Sequence, residues 1–90
     1  MTRETTSRST LLVIDDDPAA LGMMDEALTS AGYSVLLAQS GDAAFEVMNR
    51  ILPDLVLVDA IMPGLSGWEI CRSMKADASL NALPVIFMTG

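Results

Sequence analysis

Short apolar runs, separated by stretches with helical spacing, are the feature that most limits how this chain can fold. Residues 11–14, 55–58 and 85–88 are each continuous apolar runs, and residues 34–38 supply a further short strand signal. Continuous apolar runs are typical of strands buried on both faces of a parallel sheet. The helical stretches that alternate with them predict the order β-α-β-α-β-α-β, with helices packed on the faces of one parallel sheet.

Residues that cap or end helices mark the boundaries. Asp17 suits the N-cap and Pro18 the first position of a helix that Gly32 is placed to end. Ser66 and Glu69 have the spacing of a capping box at the start of a third helix. The sequence thus predicts one helix between each pair of consecutive strands, three helices in all.

The helical spacing also predicts which helix residues face the core. In the second helix we expect Ile51 to face inward, together with other apolar residues at spacings of three and four. Four methionines lie at helical spacings and are predicted to fill the core, because a flexible thioether adapts to irregular gaps. They are Met23, Met24, Met48 and Met74.

The composition excludes several classes of function. Twelve acidic and five basic residues give a net charge of −7, which argues against direct binding of duplex nucleic acid. The chain has no histidine and one cysteine, Cys71, so we expect neither histidine-based catalysis nor a zinc site nor an internal disulfide. Apolar runs are too short to span a membrane or to form a signal peptide, and a cytoplasmic protein is predicted.

Residues 1–10 show no apolar periodicity and are expected to form a flexible tail.

Acidic residues follow two of the predicted strands directly. Asp15 and Asp16 come after the first strand and Asp59 after the third, while Thr89 follows the fourth. Ligands of open α/β sheets bind beyond the carboxyl ends of the strands, so these side chains are expected to meet in one crevice. Three converging carboxylates would repel one another, and a hard divalent cation such as Mg²⁺ would offset that repulsion. One carboxylate could then attack a phosphoryl group, whereas Asp17 is most simply a helix cap.

Three segments together carry a family resemblance. Residues 11–18, 53–67 and 84–90 resemble the signature segments of response regulator receiver domains, and the match covers residues 11–90 in order. Gly67 matches the loop that shapes the family's site. The resemblance implies a three-layer, flavodoxin-like parallel sheet, with the strand order 2-1-3-4 for the part of the family fold that this sequence contains.

The resemblance also implies a role for each site residue. Asp59 matches the phosphoacceptor, and Thr89 matches the hydroxyl that turns toward the phosphoryl group. Asp16 would bind Mg²⁺ directly and Asp15 through water, with the backbone carbonyl of Ile61 as a further ligand. The phosphoryl group would come from a histidine kinase or a phosphotransfer protein. Such a domain is a switch rather than an enzyme, and it catalyses at most its own phosphorylation from phosphodonors and its own dephosphorylation.

The sequence departs from the family pattern after Thr89. The family continues with a helix, a fifth strand that ends in a lysine, and a last helix, so the domain at residues 11–90 is expected to be incomplete at its C-terminus. Lys75 cannot replace that lysine, because it lies late in the third helix. The last helix of the family covers one face of the sheet, and without it we expect self-association through the fourth strand and the uncovered face.

Other functions fit less well or remain open. A receiver-like domain could act as an interaction or dimerisation module without regulated phosphorylation, and this alternative stays open. An aspartate-nucleophile phosphatase would need an acid two residues after Asp59, where Ile61 stands. A dinucleotide-binding domain would need a glycine-rich motif after the first strand, and the sequence has none there.

Overall fold

In the computed structural model of this chain, residues 8–88 are described, and strands alternate with helices along them. The elements are β1 Thr10–Ile14, α1 Pro18–Ser30, β2 Ser34–Ala38, α2 Gly41–Arg50, β3 Leu55–Asp59, α3 Gly67–Lys75 and β4 Val85–Met88. The strands form one parallel sheet in the order β2-β1-β3-β4. This confirms the predicted fold class and strand order.

The main core lies between the sheet and the face covered by α2 and α3. Val56 and Val58 of β3 are fully buried there, as are Ile70 and Met74 of α3. Met48 of α2 belongs to the same cluster. Because β1 and β3 are central strands, this core fixes the two strands whose carboxyl ends carry the acidic residues.

The opposite face is covered over only part of its width. Leu11 and Val13 of β1 are buried on this side, and α1 packs against β1 and β2. Leu57 of β3 is only half-buried, and Ile86, which is paired with it on β4, is 50% exposed. Among residues 8–88, no helix covers the β3–β4 part of this face, which is the uncovered face that the sequence predicted.

None of the helices in this range is both long enough and apolar enough to cross a membrane.

The helix boundaries follow the predicted signals closely. The Asp17 side chain accepts a hydrogen bond from the Ala19 amide and caps α1, whose first residue is Pro18. Gly32, just beyond the α1 C-cap, has φ of +103°, a left-handed conformation that glycine adopts without strain. The same positions in the sequence therefore begin and end the helix in the structure.

Two predicted core positions are wrong. Ile51 is 51% exposed because α2 ends at Arg50 and the extended backbone of Ile51 (φ −137°, ψ 119°) turns its side chain off the helix face. Met23 is 73% exposed because it lies two residues after the buried Leu21, on the outer side of α1. Met48 and Met74 are buried as predicted, and Met24 is half-buried.

Candidate functional site

Three carboxylates converge at the carboxyl ends of β1 and β3. The two strands are adjacent and parallel, with Ile14 paired with Val58, so Asp15 and Asp59 follow at the same level. Oxygen atoms of Asp15, Asp16 and Asp59 all lie within 4.8 Å of one another. Asp15 and Asp59 are half-buried and Asp16 is exposed. The structure thus brings together the three acids that the sequence selected.

Local hydrogen bonds orient two of these carboxylates. Asp59 Oδ1 accepts a hydrogen bond from the Ile61 amide at 3.1 Å, and Asp15 Oδ1 accepts one from the Asp17 amide at 3.0 Å. In each case a carboxylate bonds to the amide two residues later, a turn that short acidic side chains form readily. The Asp17 carboxylate caps α1 instead, which confirms its interpretation as a helix cap.

The charge of this cluster favours a hard cation. Two carboxylates about 5 Å apart repel by roughly 3 kcal/mol at an effective dielectric near 20, and by less where water reaches them. Oxygen ligands in this number suit Mg²⁺, which prefers a few carboxylates and completes its shell with water. The oxygens of Asp15, Asp16 and Asp59 therefore fit a magnesium site, whereas the cluster holds none of the histidine or cysteine ligands that zinc prefers.

The remaining predicted site residues lie beside the cluster or outside the described residues. Ile61 is placed two residues after Asp59, with its amide on the Asp59 carboxylate and its side chain 84% exposed. The use of its carbonyl as a metal ligand stays a prediction. Thr89 lies outside the described residues, but Met88 before it is paired with Asp59 in the β3–β4 ladder.

The first residue of α3 packs directly on the phosphoacceptor candidate. The Gly67 amide donates a hydrogen bond to the Ala60 carbonyl at 3.2 Å. A Cβ atom at Gly67 would overlap the Asp59 carbonyl oxygen and lie 2.9 Å from Ala60 Cα, so only glycine allows this approach. Gly67 was predicted to shape the loop, and its contact gives the physical reason.

A capping box fixes the start of α3 next to the site. The Ser66 amide donates to the Glu69 carboxylate at 2.9 Å, and the Glu69 amide donates to the Ser66 hydroxyl at 3.3 Å. The Ser66 backbone amide, followed by the Ser66 side chain, holds the pKa of Glu69 below its ordinary value of 4.5. The predicted capping box is therefore present, and it anchors the loop that follows Asp59.

The same loop also contacts α2, which sequence reasoning missed. Leu65 packs so closely on Gly41, the first residue of α2, that a Cβ at Gly41 would overlap the Leu65 side chain. Such a Cβ would also lie 3.2 Å from Ile70 Cγ1. No local pattern indicates this contact, because the residues are distant in sequence and Gly41 has no unusual backbone angle.

Lys75 lies at the opposite end of the sheet from the acidic cluster. Its ammonium group donates to the carbonyls of Asn81 at 3.2 Å and Leu83 at 3.3 Å, in the loop that precedes β4. Asp59, by contrast, is paired with Met88 at the far end of β4. Lys75 therefore stabilises the loop before β4, and it cannot contact a group bound at Asp59.

Comparisons with known proteins place these observations in a family. Residues 11–90 match the family model described as the response regulator receiver domain. A probable cyclic di-GMP phosphodiesterase of Vibrio cholerae is 37% identical over the whole chain, which spans 20% of that protein. The response regulator PleD of Caulobacter vibrioides is 37% identical over 88% of this chain, which covers 17% of PleD. The chain thus spans a fifth or less of the length of these two relatives.

Solved structures give the same result for the fold. The N-terminal domain of a response regulator receiver protein from Methanoculleus marisnigri superposes with a TM-score of 0.87 at 36% identity. That match covers 90% of this chain and 66% of the solved chain. A response regulator from Chloroflexus aurantiacus, described as putative, superposes with a TM-score of 0.85 at 32% identity, over 90% and 66% of the two chains.

Proposed function

This chain belongs to the response regulator receiver domain family, and from that membership we propose that it is a phosphoacceptor switch of a two-component system. Asp59 takes a phosphoryl group from a histidine kinase or a phosphotransfer protein. The observation that carries the proposal is the convergence of Asp15, Asp16 and Asp59 within 4.8 Å at the carboxyl end of the sheet. Receiver domains are regulatory, so the chain itself switches an output and catalyses at most its own phosphorylation from phosphodonors and its own dephosphorylation.

The reaction uses one oxygen of the Asp59 carboxylate as the nucleophile. The Ile61 amide holds Oδ1, which orients the carboxylate and leaves the other oxygen to attack phosphorus. As the new O–P bond forms, the bond between phosphorus and the donor histidine nitrogen breaks, and the imidazole leaves with its electron pair. The product is an aspartyl phosphate on Asp59.

Magnesium completes the proposed site. Asp15, Asp16, Asp59 and the Ile61 carbonyl would hold Mg²⁺, Asp15 through water, and the ion would neutralise charge on the phosphoryl oxygens. The Thr89 hydroxyl would donate to a phosphoryl oxygen once the group is in place. Both assignments rest on the family resemblance, and the metal assignment is also supported by the convergence of Asp15, Asp16 and Asp59.

Labelling by a small phosphodonor tests this function. Incubation of the purified chain with acetyl phosphate and MgCl₂ is expected to add one phosphoryl group to Asp59, detected by intact mass and located by peptide mapping. Asp59→Asn should remain unlabelled. Asp42→Asn, which changes an exposed acid in the first turn of α2, is the matched control and should be labelled normally. Labelling that persists in Asp59→Asn would place the acceptor elsewhere, and no labelling of the wild type would favour an interaction module without regulated phosphorylation.

The relatives combine this domain with different activities, as the names cyclic di-GMP phosphodiesterase and DNA-binding response regulator indicate. A net charge of −7 supports a role in which this domain does not itself contact nucleic acid. The cytoplasmic location stays a prediction from the composition.

A second proposal concerns self-association. Among the described residues, β4 is an edge strand, and its apolar Ile86 is half-exposed beside Leu57 on the uncovered face. A second copy of β4, turned antiparallel, could pair with this edge, since an unpaired strand edge is a template for another strand. Sedimentation of the purified chain is expected to show a dimer or larger species that Ile86→Lys dissociates. A dilute monomer that unfolds cooperatively and binds no hydrophobic dye would contradict it.

A further inference from the structure

The chain's one tryptophan makes an aromatic contact across the end of the sheet. Trp68 is the second residue of α3, and its ring centroid lies 4.1 Å from that of Phe87 on β4, with 36° between the ring planes. Trp68 is 55% exposed and Phe87 is half-buried. The pair therefore joins the start of α3 to the carboxyl end of β4, at the edge of the described sheet.

Phe87 lies immediately beside the site. It is paired with Val58, the residue before Asp59, and its neighbour Met88 is paired with Asp59 itself. The Ala60 amide donates to the Met88 carbonyl at 3.3 Å, a long bond compared with the 3.0 Å from the Val56 amide to the Pro84 carbonyl at the start of β4. This end of β4 is held on one side only, because β4 is an edge strand within residues 8–88. The Trp68 ring is thus placed to support the end of β4 that lies next to Asp59.

The loop between β3 and α3 does not depend on this ring. The capping box of Ser66 and Glu69 and the bond from the Gly67 amide to the Ala60 carbonyl fix the start of α3 through groups other than the indole. Loss of the indole should therefore loosen the carboxyl end of β4, while the loop that carries Ile61 keeps its position.

We propose that Trp68 is a positioning residue, which clamps the carboxyl end of β4 against Asp59 through Phe87. The inference rests on the proposed phosphorylation of Asp59, and it makes the pairing of Met88 with Asp59 a determinant of that reaction. The magnesium ligands are on β1, β3 and the following loop, whereas the clamp acts on β4. Removing the clamp should therefore slow phosphorylation without changing the affinity for Mg²⁺.

Three variants of the full chain separate positioning from general destabilisation. Trp68→Ala removes the ring, Trp68→Phe keeps an aromatic ring, and Leu52→Ala removes a side chain of similar exposure (57%) in the loop before β3, at the other end of the sheet. Each variant is compared with the wild type for Mg²⁺ affinity by calorimetry, for the rate of Asp59 labelling by acetyl phosphate, and for hydrogen exchange of the Ala60 amide. Urea unfolding establishes that each variant is folded under the assay conditions.

We expect the loss of the Trp68 ring to change the rate of Asp59 labelling but not the affinity for Mg²⁺. Trp68→Ala should exchange the Ala60 amide faster and label Asp59 up to about tenfold more slowly, since an aromatic pair contributes about that factor in an equilibrium constant. The affinity of Trp68→Ala for Mg²⁺ should equal that of the wild type. Trp68→Phe should show wild-type rates of Ala60 amide exchange and Asp59 labelling. Leu52→Ala should change neither of these two rates.

Other results would overturn the inference separately from the proposed function. Unchanged exchange of the Ala60 amide in Trp68→Ala would overturn the clamp, whether or not Asp59 is labelled. Normal labelling of Trp68→Ala beside a labelled wild type would overturn its role in the reaction. A wild type that is not labelled would contradict the proposed function, and the exchange comparison would then decide the clamp alone.

Discussion

Gly67, the first residue of α3, lies against the backbone carbonyl of Asp59. The space between them admits no side chain, because a Cβ at Gly67 would overlap the Asp59 carbonyl oxygen. The atoms that would be displaced belong to the backbone of Asp59 and Ala60 and cannot rotate away as a side-chain end can. The position of Asp59 is therefore set by its own strand and by the start of the next helix.

Gly67→Ala is expected to lower the free energy of unfolding by about 1–3 kcal/mol, as overpacking in a closely packed site does. The matched control is Gly22→Ala in α1, where an added Cβ meets nothing within 4 Å. That change should raise the unfolding free energy by about 0.5–1 kcal/mol, because alanine is the better helix former. Urea denaturation measures both, and a stabilised Gly67→Ala would contradict the close contact.

Asp16→Asn should stabilise the fold in the absence of magnesium and lose this advantage when magnesium is present. In metal-free buffer it should stabilise the fold by up to about 1 kcal/mol, because it removes one charge from the cluster of Asp15, Asp16 and Asp59. Mg²⁺ at ten times its dissociation constant should stabilise the wild type by about 1.4 kcal/mol. The variant should lose most of that gain, because its affinity should fall at least about tenfold.

Thermal or urea unfolding at several Mg²⁺ concentrations measures how the stability difference between the wild type and the variant changes with magnesium. Asp17→Asn is the control, since asparagine also caps helices and Asp17 lies outside the cluster. Equal stabilisation of the wild type and Asp16→Asn by Mg²⁺ would show that Asp16 is not a ligand.

Stability should fall in acid as two surface carboxylates lose their hydrogen bonds. Capping by Ser66 lowers the pKa of Glu69 from 4.5, and the Ser79 hydroxyl, followed by its amide, lowers the pKa of Asp77 from 3.8. A lowered pKa in the folded state stabilises the fold above the unfolded-state pKa, and this stabilisation is lost as the pH falls through the folded-state value. The decline should begin near the ordinary pKa of Glu69, 4.5, and continue below 3.8 for Asp77.

Urea denaturation at a series of acidic pH values measures this decline. Glu69→Gln should be less stable than the wild type at neutral pH and should show a shallower fall in acid. Identical slopes for the two proteins would mean that Glu69 does not contribute.

Lys75→Met should destabilise the loop before β4. The substitution keeps an unbranched apolar stem but removes the ammonium donor to the carbonyls of Asn81 and Leu83. We expect a loss of about 1 kcal/mol in the free energy of unfolding, because Lys75 is largely exposed and water replaces part of each bond. Lys75→Arg should retain part of the stability, and labelling of Asp59 should be unchanged in both variants, since Lys75 lies at the far end of the sheet.

The sequence predicted those parts of the fold that depend on local signals. The ends of α1 and the capping box of α3 follow from Asp17, Gly32 and Ser66, because a cap bonds to residues within a few positions. The convergence of Asp15 and Asp59 follows from strand ends in a parallel sheet, which needs only the order of the elements.

Contacts between distant residues could not be predicted in the same way. The stack of Trp68 on Phe87 and the packing of Leu65 on Gly41 each join separate elements, and neither leaves a periodic signal. Ile51 fits the apolar spacing of α2 but lies one residue beyond its end, where the helical period no longer applies. Helix ends are uncertain by a residue or two from pattern alone, and that margin decided whether Ile51 faced the core.

Thr10 and Asp54, at the amino ends of β1 and β3, exchange two hydrogen bonds. The Thr10 amide donates to Asp54 Oδ2 at 2.7 Å, and the Asp54 amide donates to the Thr10 carbonyl at 2.7 Å. This pair contributes to fixing the relative offset of the two strands, at the end far from the acidic cluster. A shift of one residue would move Asp59 about 3.3 Å along β1 and turn its side chain to the other face. The meeting of the acids at one end of the sheet thus depends in part on alignment at the other end. An error in strand pairing there would abolish the site without altering any residue in it.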